Sequence, residues 1–560
     1  MTFSRRTVLK SALGGTALTM SGLSIGKPVS ALLAEGGVDG SLARYMDQHR
    51  AEWGIPGMVV ALADGDGFEQ QLFSGVANLD SGEAVNKDHL FQVGSISKMM
   101  AALALWSQID DGLLTPDAPL NKLLPEIPID SVTPITLKHI LDHTSGLPRG
   151  TDPFHEGGLW TGTAPGTHWA YSNLGYKLAG MIAGRIDGTS FKECVEKRLL
   201  RPLGMTSSKG ALITQDRQLY AKGYEPDRLE RPNPLPTRMA NAPWADYDGA
   251  SGCIAATGAD MSKFIRFLIG LTRGTGGPVF SDETATRFLL DPSDAPGWAN
   301  GAKYGNGIAF MRFEGQPYLH HTGGMMSFTS SIHIDIDAGV GCFASANVHY
   351  GTSHRPRNVS YYGCQILKAH QVSGPQPNAP AIRQPVNRPD IYTGTYKAAD
   401  GTSLTITASD AGLSVDADGA SAAVQLFGTS LGATDHQSFA DTGLIFEFAT
   451  RKADRVWVGH KEYLLDPTEA YTKTPERLLA LAGYYIGESR WDIANRIYAH
   501  GDHLTVTRGN YVSRLYEQPN GDWVAGDASK SADWVRFGDF IDGVPQTASS
   551  SGKIQKRIGV

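Results

Sequence analysis

Five prolines fall between Gly374 and Asp390, at positions 375, 377, 380, 385 and 389. Each fixes its own φ and removes a backbone donor, so neither a helix nor a central strand tolerates them at that density. The stretch 373–389 is therefore a linker, and the 560-residue chain must fold as separate bodies on either side of it. From about residue 38 to 372, strand-like and helix-like patterns are mixed. Met58-Val59-Val60-Ala61-Leu62 and Ser330 to Ile336 have the β-rich, apolar look of buried strands. Ser95 to Asp110 carries Ile96, Met99, Met100, Leu103, Leu105 and Trp106, apolar nearly all round, which predicts a deeply buried helix. A sheet with helices packed on it follows, an α+β architecture.

Beyond the linker the pattern changes to short alternating strands, as in Ser403-Leu404-Thr405-Ile406. Tyr392-Thr393-Gly394-Thr395-Tyr396 is echoed 89 residues later by Leu481-Ala482-Gly483-Tyr484-Tyr485. Leu413-Ser414-Val415 and Leu504-Thr505-Val506 follow them as matching strands. Two related antiparallel β-barrel modules are expected, over about 390–475 and 476–560, since closure removes exposed strand edges.

The first 34 residues read as an export signal. Arg5-Arg6 precedes a modest apolar stretch diluted by Gly14, Gly15 and Gly22, and Val29-Ser30-Ala31 offers a cleavage site. Paired arginines before such a stretch resemble a twin-arginine signal, which predicts a periplasmic or secreted protein with no stable membrane anchor. The net charge of −7 includes no basic block, so nucleic acid is not an expected partner. Cys194, Cys253, Cys342 and Cys364 are scattered without a C-x-x-C pair and predict mostly buried free thiols. No zinc-ligand spacing is evident, and neither metal nor other cofactor is expected.

Ser95-Ile96-Ser97-Lys98 has the S-x-x-K form. Residues three apart share a helix face, so Lys98 can lie beside the Ser95 hydroxyl and take its proton, provided burial or a neighbouring charge lowers the amine's pKa. The spelling alone is weak, because Ser550-Ser551-Gly552-Lys553 repeats it in a Ser-rich, unpatterned terminus. Tyr171-Ser172-Asn173 adds a phenol for proton transfer and an amide for holding a carbonyl. His321-Thr322-Gly323-Gly324 precedes a predicted strand, its glycines allowing a substrate backbone to lie close. Tyr304-Gly305-Asn306, His155-Glu156-Gly157 and His349-Tyr350-Gly351 are decoys for these last two patterns, and a lone histidine is more often structural than catalytic.

S-x-x-K on a helix, then Y-S-N, then H-T-G before a strand resembles, in that order, the serine β-lactamase and penicillin-binding protein superfamily. Leu137-Lys138-His139-Ile140-Leu141-Asp142-His143-Thr144-Ser145-Gly146-Leu147-Pro148 is similar to its class C-related branch, as are Gly112 to Asp117, Ala250-Ser251-Gly252 and Ala259-Asp260-Met261. The likeness covers roughly Gly40 to Gln371 and implies an antiparallel sheet with helices on both faces. It also implies roles: Ser95 as nucleophile, Lys98 and Tyr171 managing its proton, and Asn173 holding the substrate amide. The N–H groups of Ser95 and Gly324 would form an oxyanion hole, with Thr322 and Gly323 lining the strand edge. His321 stands where most β-lactamases of this type carry lysine; histidine there is similar to secreted DD-peptidases and D-aminopeptidases, and it is expected to act in the site with a pH-dependent part in carboxylate recognition. His143 reads as structural.

The expected activity is an exported serine hydrolase that forms an acyl-enzyme on small amides or short peptides, D-residues included. Esterase, acyltransferase or weak β-lactamase activity on the same fold is the alternative, and a non-turnover penicillin-binding sensor is the alternative from another class. Assembly into a homo-oligomer is compatible with any of them. An α/β-hydrolase is not expected, because one G-x-S-x-G, Gly22 to Gly26, lies inside the expected export signal and the other, Gly428 to Gly432, lies among the short alternating strands beyond the linker. A zinc peptidase is excluded for want of H-E-x-x-H.

Overall fold

The computed structural model describes residues 40–559 except 350–355, 384, 411, 467, 469 and 489–493, so the stretch read as an export signal lies outside the described residues. Its centre is the strand Gly57–Asp64, buried along its whole length. Alternation sends its side chains to two cores. Met58, Val60 and Leu62 pack with the helices Gly40–Trp53 and Arg357–Gln371. Val59, Ala61 and Ala63 pack with the helix Gly258–Thr272 and, beyond it, with Ser97–Asp110 and Asn173–Asp187. A strand buried on both faces reads as a continuous apolar run, and the sequence pattern at 58–62 has that form. This strand belongs to a nine-stranded antiparallel sheet, flanked by Glu69–Asn78 on one side and Val340–Ala346 on the other. Thr329–Asp335 and Gln316–Gly324 continue it outward, and His321-Thr322-Gly323-Gly324 runs on past His320, where the pairing with the next strand, Ile308–Phe313, stops.

The predicted Ser95–Asp110 helix begins with a 3₁₀ turn, Gly94–Ile96, and continues as an α-helix over Ser97–Asp110. Every residue from Ser97 to Ile109 is buried. Such burial fits a helix that is apolar on all sides and runs through the middle of the domain.

After the linker come two closed barrels of eight antiparallel strands each. They open on the two repeated segments, at Gly394 and Gly483. The repeat is physical as well as textual: the Tyr396 hydroxyl donates to the Tyr392 carbonyl and the Tyr485 hydroxyl to the Leu481 carbonyl, both at 2.8 Å. Each phenol thus ties the first strand of its barrel to the turn before it, at a buried core position. The Ser-rich terminus is not unpatterned, contrary to the sequence reading. Val544–Ser550 and Lys553–Gly559 pair across the Ser551-Gly552 turn and close the second barrel. All four cysteines are free and buried. Among the described residues no helix is long and apolar enough to cross a membrane.

Candidate active site

Gly94 has φ +56°, a conformation that side chains rarely adopt, and a Cβ there would stand 2.6 Å from the Gly324 nitrogen. The start of the central helix therefore lies directly against the end of the Gln316–Gly324 strand. Gly323 is tighter still, since its Cβ would meet the Val93 carbonyl oxygen at 2.0 Å and Ser330 Oγ at 2.1 Å. Ser330 Oγ also donates to that carbonyl, at 2.8 Å. Gly323→Ala is accordingly expected to force strand and helix apart and to destabilise the fold by about 2–4 kcal/mol, read as a lowered thermal midpoint.

Ser95 sits on this seam, partly exposed between the buried Gly94 and Ile96. Lys98, one turn on, has no exposed surface at all. Its Nζ lies 3.1 Å from Ser95 Oγ, 2.8 Å from Asn173 Oδ1 and 2.6 Å from the Ser251 carbonyl. Among the described residues no carboxylate is hydrogen-bonded to it, and burial together with the Arg149 charge pushes its pKa well below the usual lysine range. A neutral amine fits these three partners. Two N–H groups go to the carbonyl-type acceptors at the shorter distances, and the lone pair is left for the serine proton.

Tyr171 joins from the loop before the Asn173–Asp187 helix, its ring centroid 4.9 Å from Lys98 Nζ. Ser172 caps that helix, Oγ accepting from the Gly175 N–H at 3.0 Å and donating to the Pro148 carbonyl at 2.7 Å. Asn173, the first residue inside, gives its Oδ1 to Lys98, which leaves the Nδ2 end to donate. His143 braces the loop. Its ring packs 4.3 Å from that of Tyr171, and its Nδ1 accepts from the Ser172 N–H at 3.1 Å. That arrangement fits the structural reading of His143.

His321 is fully buried. Its Nε2 is 2.9 Å from the Tyr304 hydroxyl and its Nδ1 2.7 Å from the Thr322 carbonyl. The ring packs against Trp298 at 4.9 Å and lies 6.4 Å from Tyr171. Thr322 is buried as well, and strand alternation directs its side chain to the opposite face from His321 and Gly323. The motif residues that are partly exposed are Ser95, Tyr171, Asn173 and Gly324, while Lys98, His321, Thr322 and Gly323 stand behind them. All three motifs thus meet, with the hydroxyl, phenol, amide and strand edge outermost.

Sequence reasoning missed several neighbours. Arg149 holds its guanidinium 5.5 Å above the Tyr171 ring, and its carbonyl accepts from the Asn173 N–H at 2.7 Å. Its own N–H donates at 3.0 Å to Asp533 of the second barrel. That barrel also places the Ala532 carbonyl 2.8 Å from Trp160 Nε1 and the Ser551 carbonyl 3.0 Å from Thr151 Oγ1. Position directly after Leu147-Pro148 was the one available signal for Arg149. Tyr304, set aside as part of a decoy, is the hydrogen-bond partner of His321.

Several known proteins are similar to this chain. Penicillin-binding protein 4* of Bacillus subtilis (strain 168) is 24% identical over 382 residues, covering 63% of this chain and 81% of that protein. Protein Rv1367c of Mycobacterium tuberculosis (strain H37Rv) is 27% identical over 261 residues, 39% of this chain, and the match spans 63% of that relative's own length. D-alanyl-D-alanine-carboxypeptidase/endopeptidase AmpH of Escherichia coli (strain K12) is 29% identical over 184 residues, 29% of this chain and 47% of that protein. Among solved structures, the octameric penicillin-binding protein homologue from Pyrococcus abyssi superposes with a TM-score of 0.52 at 20% identity, covering 76% of this chain and 99% of that one. The last likeness speaks for the fold alone. The family model described as Beta-lactamase matches residues 42–361, more than half of the chain and all of the site just described, and the protein belongs to that family.

Proposed function

We propose that this protein is an exported serine hydrolase in which Ser95 attacks the carbonyl of a small amide or short peptide and carries the acyl group until water removes it. The observation that supports this most is the buried, pKa-depressed Lys98 within hydrogen-bonding distance of the Ser95 hydroxyl. In acylation the Ser95 proton passes to Lys98 Nζ as Oγ bonds to the carbonyl carbon. As the C–N bond breaks, Tyr171, beside the same amine, gives its proton to the leaving nitrogen and takes the serine proton back from Lys98. Asn173 donates to the substrate carbonyl of the flanking amide, and the N–H groups of Ser95 and Gly324 take the developing oxyanion. His321 acts from behind, holding Tyr304 and packing near Tyr171, and so serves as a positioning residue in this scheme.

An amide or peptide substrate is favoured by the kinds of relatives matched, a carboxypeptidase/endopeptidase and a penicillin-binding protein among them. A panel of D- and L-configured amino-acid amides alongside short acyl esters tests the assignment. Turnover of D-amides supports it, whereas turnover of esters alone replaces the amidase by an esterase.

The second barrel borders the site through Asp533, whose carboxylate accepts from Arg149 N–H and from Ser551 Oγ, each at 3.0 Å. Removing it should loosen the Arg149–Asn173 segment by about one hydrogen bond, roughly 1 kcal/mol. Asp533→Ala is therefore expected to lower kcat/KM about fivefold with the thermal midpoint little changed, as read from steady-state kinetics and a melting curve.

A further inference from the structure

The two barrels meet at a cluster that the proposed reaction does not use. Glu447 ends the strand Leu444–Glu447 of the first barrel. His500 and His503 face each other as a cross-strand pair in the second, joined by the Gly501-Asp502 turn. One potential ligand atom from each of the three lies within 4.8 Å of the others. Both histidines are buried, and Glu447 is partly so.

Hydrogen bonding fixes which nitrogens are free to bind. His500 Nε2 is 2.8 Å from the Gly459 carbonyl, an acceptor, so Nε2 carries the proton and Nδ1 keeps its lone pair. That Nδ1 is buried with no hydrogen-bond partner. His503 Nδ1 is 3.0 Å from the Asp502 carboxylate, which leaves Nε2 to face Glu447 Oε1 at 3.1 Å. Each imidazole is thus oriented by a carbonyl or carboxylate on its far nitrogen, the arrangement that sets the tautomer of metal-bound histidine.

We propose that Glu447, His500 Nδ1 and His503 Nε2 form a site for a borderline divalent transition-metal ion of the zinc type, clamping the two barrels together. Two imidazoles and one carboxylate suit such an ion in tetrahedral coordination, with a water in the fourth place. An ion pair between His503 and Glu447 explains those two groups but leaves His500 Nδ1 buried and unsatisfied, whereas a cation satisfies all three. Arg455, whose Nε lies 3.9 Å from Glu447 Oε2, is the nearby cation that opposes binding. His460 is occupied differently, its Nδ1 accepting from the Ala499 N–H at 3.1 Å.

Trp457 supplies an optical reporter, since its ring stacks on His500 at 4.4 Å with an 8° tilt. The full-length chain, stripped with a chelator, should bind one equivalent of Co²⁺ with the visible absorption of a tetrahedral site. Zn²⁺ should displace the Co²⁺, and Co²⁺ should quench the Trp457 emission. Glu447→Gln and His503→Gln should each weaken binding by about 100-fold or more, whereas Ser95→Ala should bind as the parent does. Bound Zn²⁺ should also raise the thermal midpoint by several degrees, because it binds only the folded barrels. Failure of the parent chain to take up one equivalent of either ion overturns the proposal, whatever the variants do. So does binding that survives both substitutions, or that leaves the emission lost in Trp457→Phe unquenched in the parent.

Discussion

Ser95→Ala is expected to lower kcat/KM by about 10⁴-fold or more while the protein melts as before. The size follows from the role: without Oγ no acyl-enzyme forms, and what remains is whatever the oxyanion donors and substrate binding achieve with water. The unchanged stability follows from position. Ser95 is partly exposed on a 3₁₀ turn held by Gly94, Gly323 and Ser330, none of which depends on its hydroxyl. Steady-state kinetics on a D-amino-acid amide and a thermal melt check both halves. The parallel change Ser550→Ala should leave activity untouched, because that hydroxyl meets Asn495 within the second barrel and no residue of the site.

Lys98→Met carries the second large effect, a loss of about 10²–10⁴-fold in the acylation rate. Its sign with pH is fixed by the environment. Burial and the Arg149 charge favour the neutral amine, so activity requires a deprotonated Lys98 and rises with pH through its lowered pKa. Removing the neighbouring charge with Arg149→Gln should raise that pKa and carry the acid limb of the kcat/KM profile to higher pH. A limb displaced to lower pH, or one unchanged by Arg149→Gln, means another group titrates. Lys98→Met should show no such limb in its residual activity.

The parts of this site legible in the sequence were those fixed by short-range geometry. S-x-x-K works because one helical turn separates Ser95 from Lys98, and Y-S-N because Ser172 is itself the helix cap that seats Asn173. Two glycines before Met325 announced a close approach, and Gly323 and Gly94 supply it. The long, fully buried run at 97–109 was legible for the same reason. Arg149, Trp298 and Tyr304 were not, because each reaches Tyr171 or His321 only through the tertiary fold. Polar strands were the other failure. Thr547, Ser549 and Ser550 have little apolar character, and only pairing with Val535–Ile541 and Lys553–Gly559 makes a strand of them. The Glu447–His500–His503 cluster is hidden similarly, its carboxylate and imidazoles coming from different barrels.

The most direct measurement is intact-mass spectrometry of protein mixed with a D-amino-acid amide or ester and quenched in acid within a turnover, followed by peptide mapping. The account predicts one acyl group per chain, on the peptide containing Ser95, and none on the Ser95→Ala protein. Turnover without any adduct, or an adduct on a different residue, contradicts it.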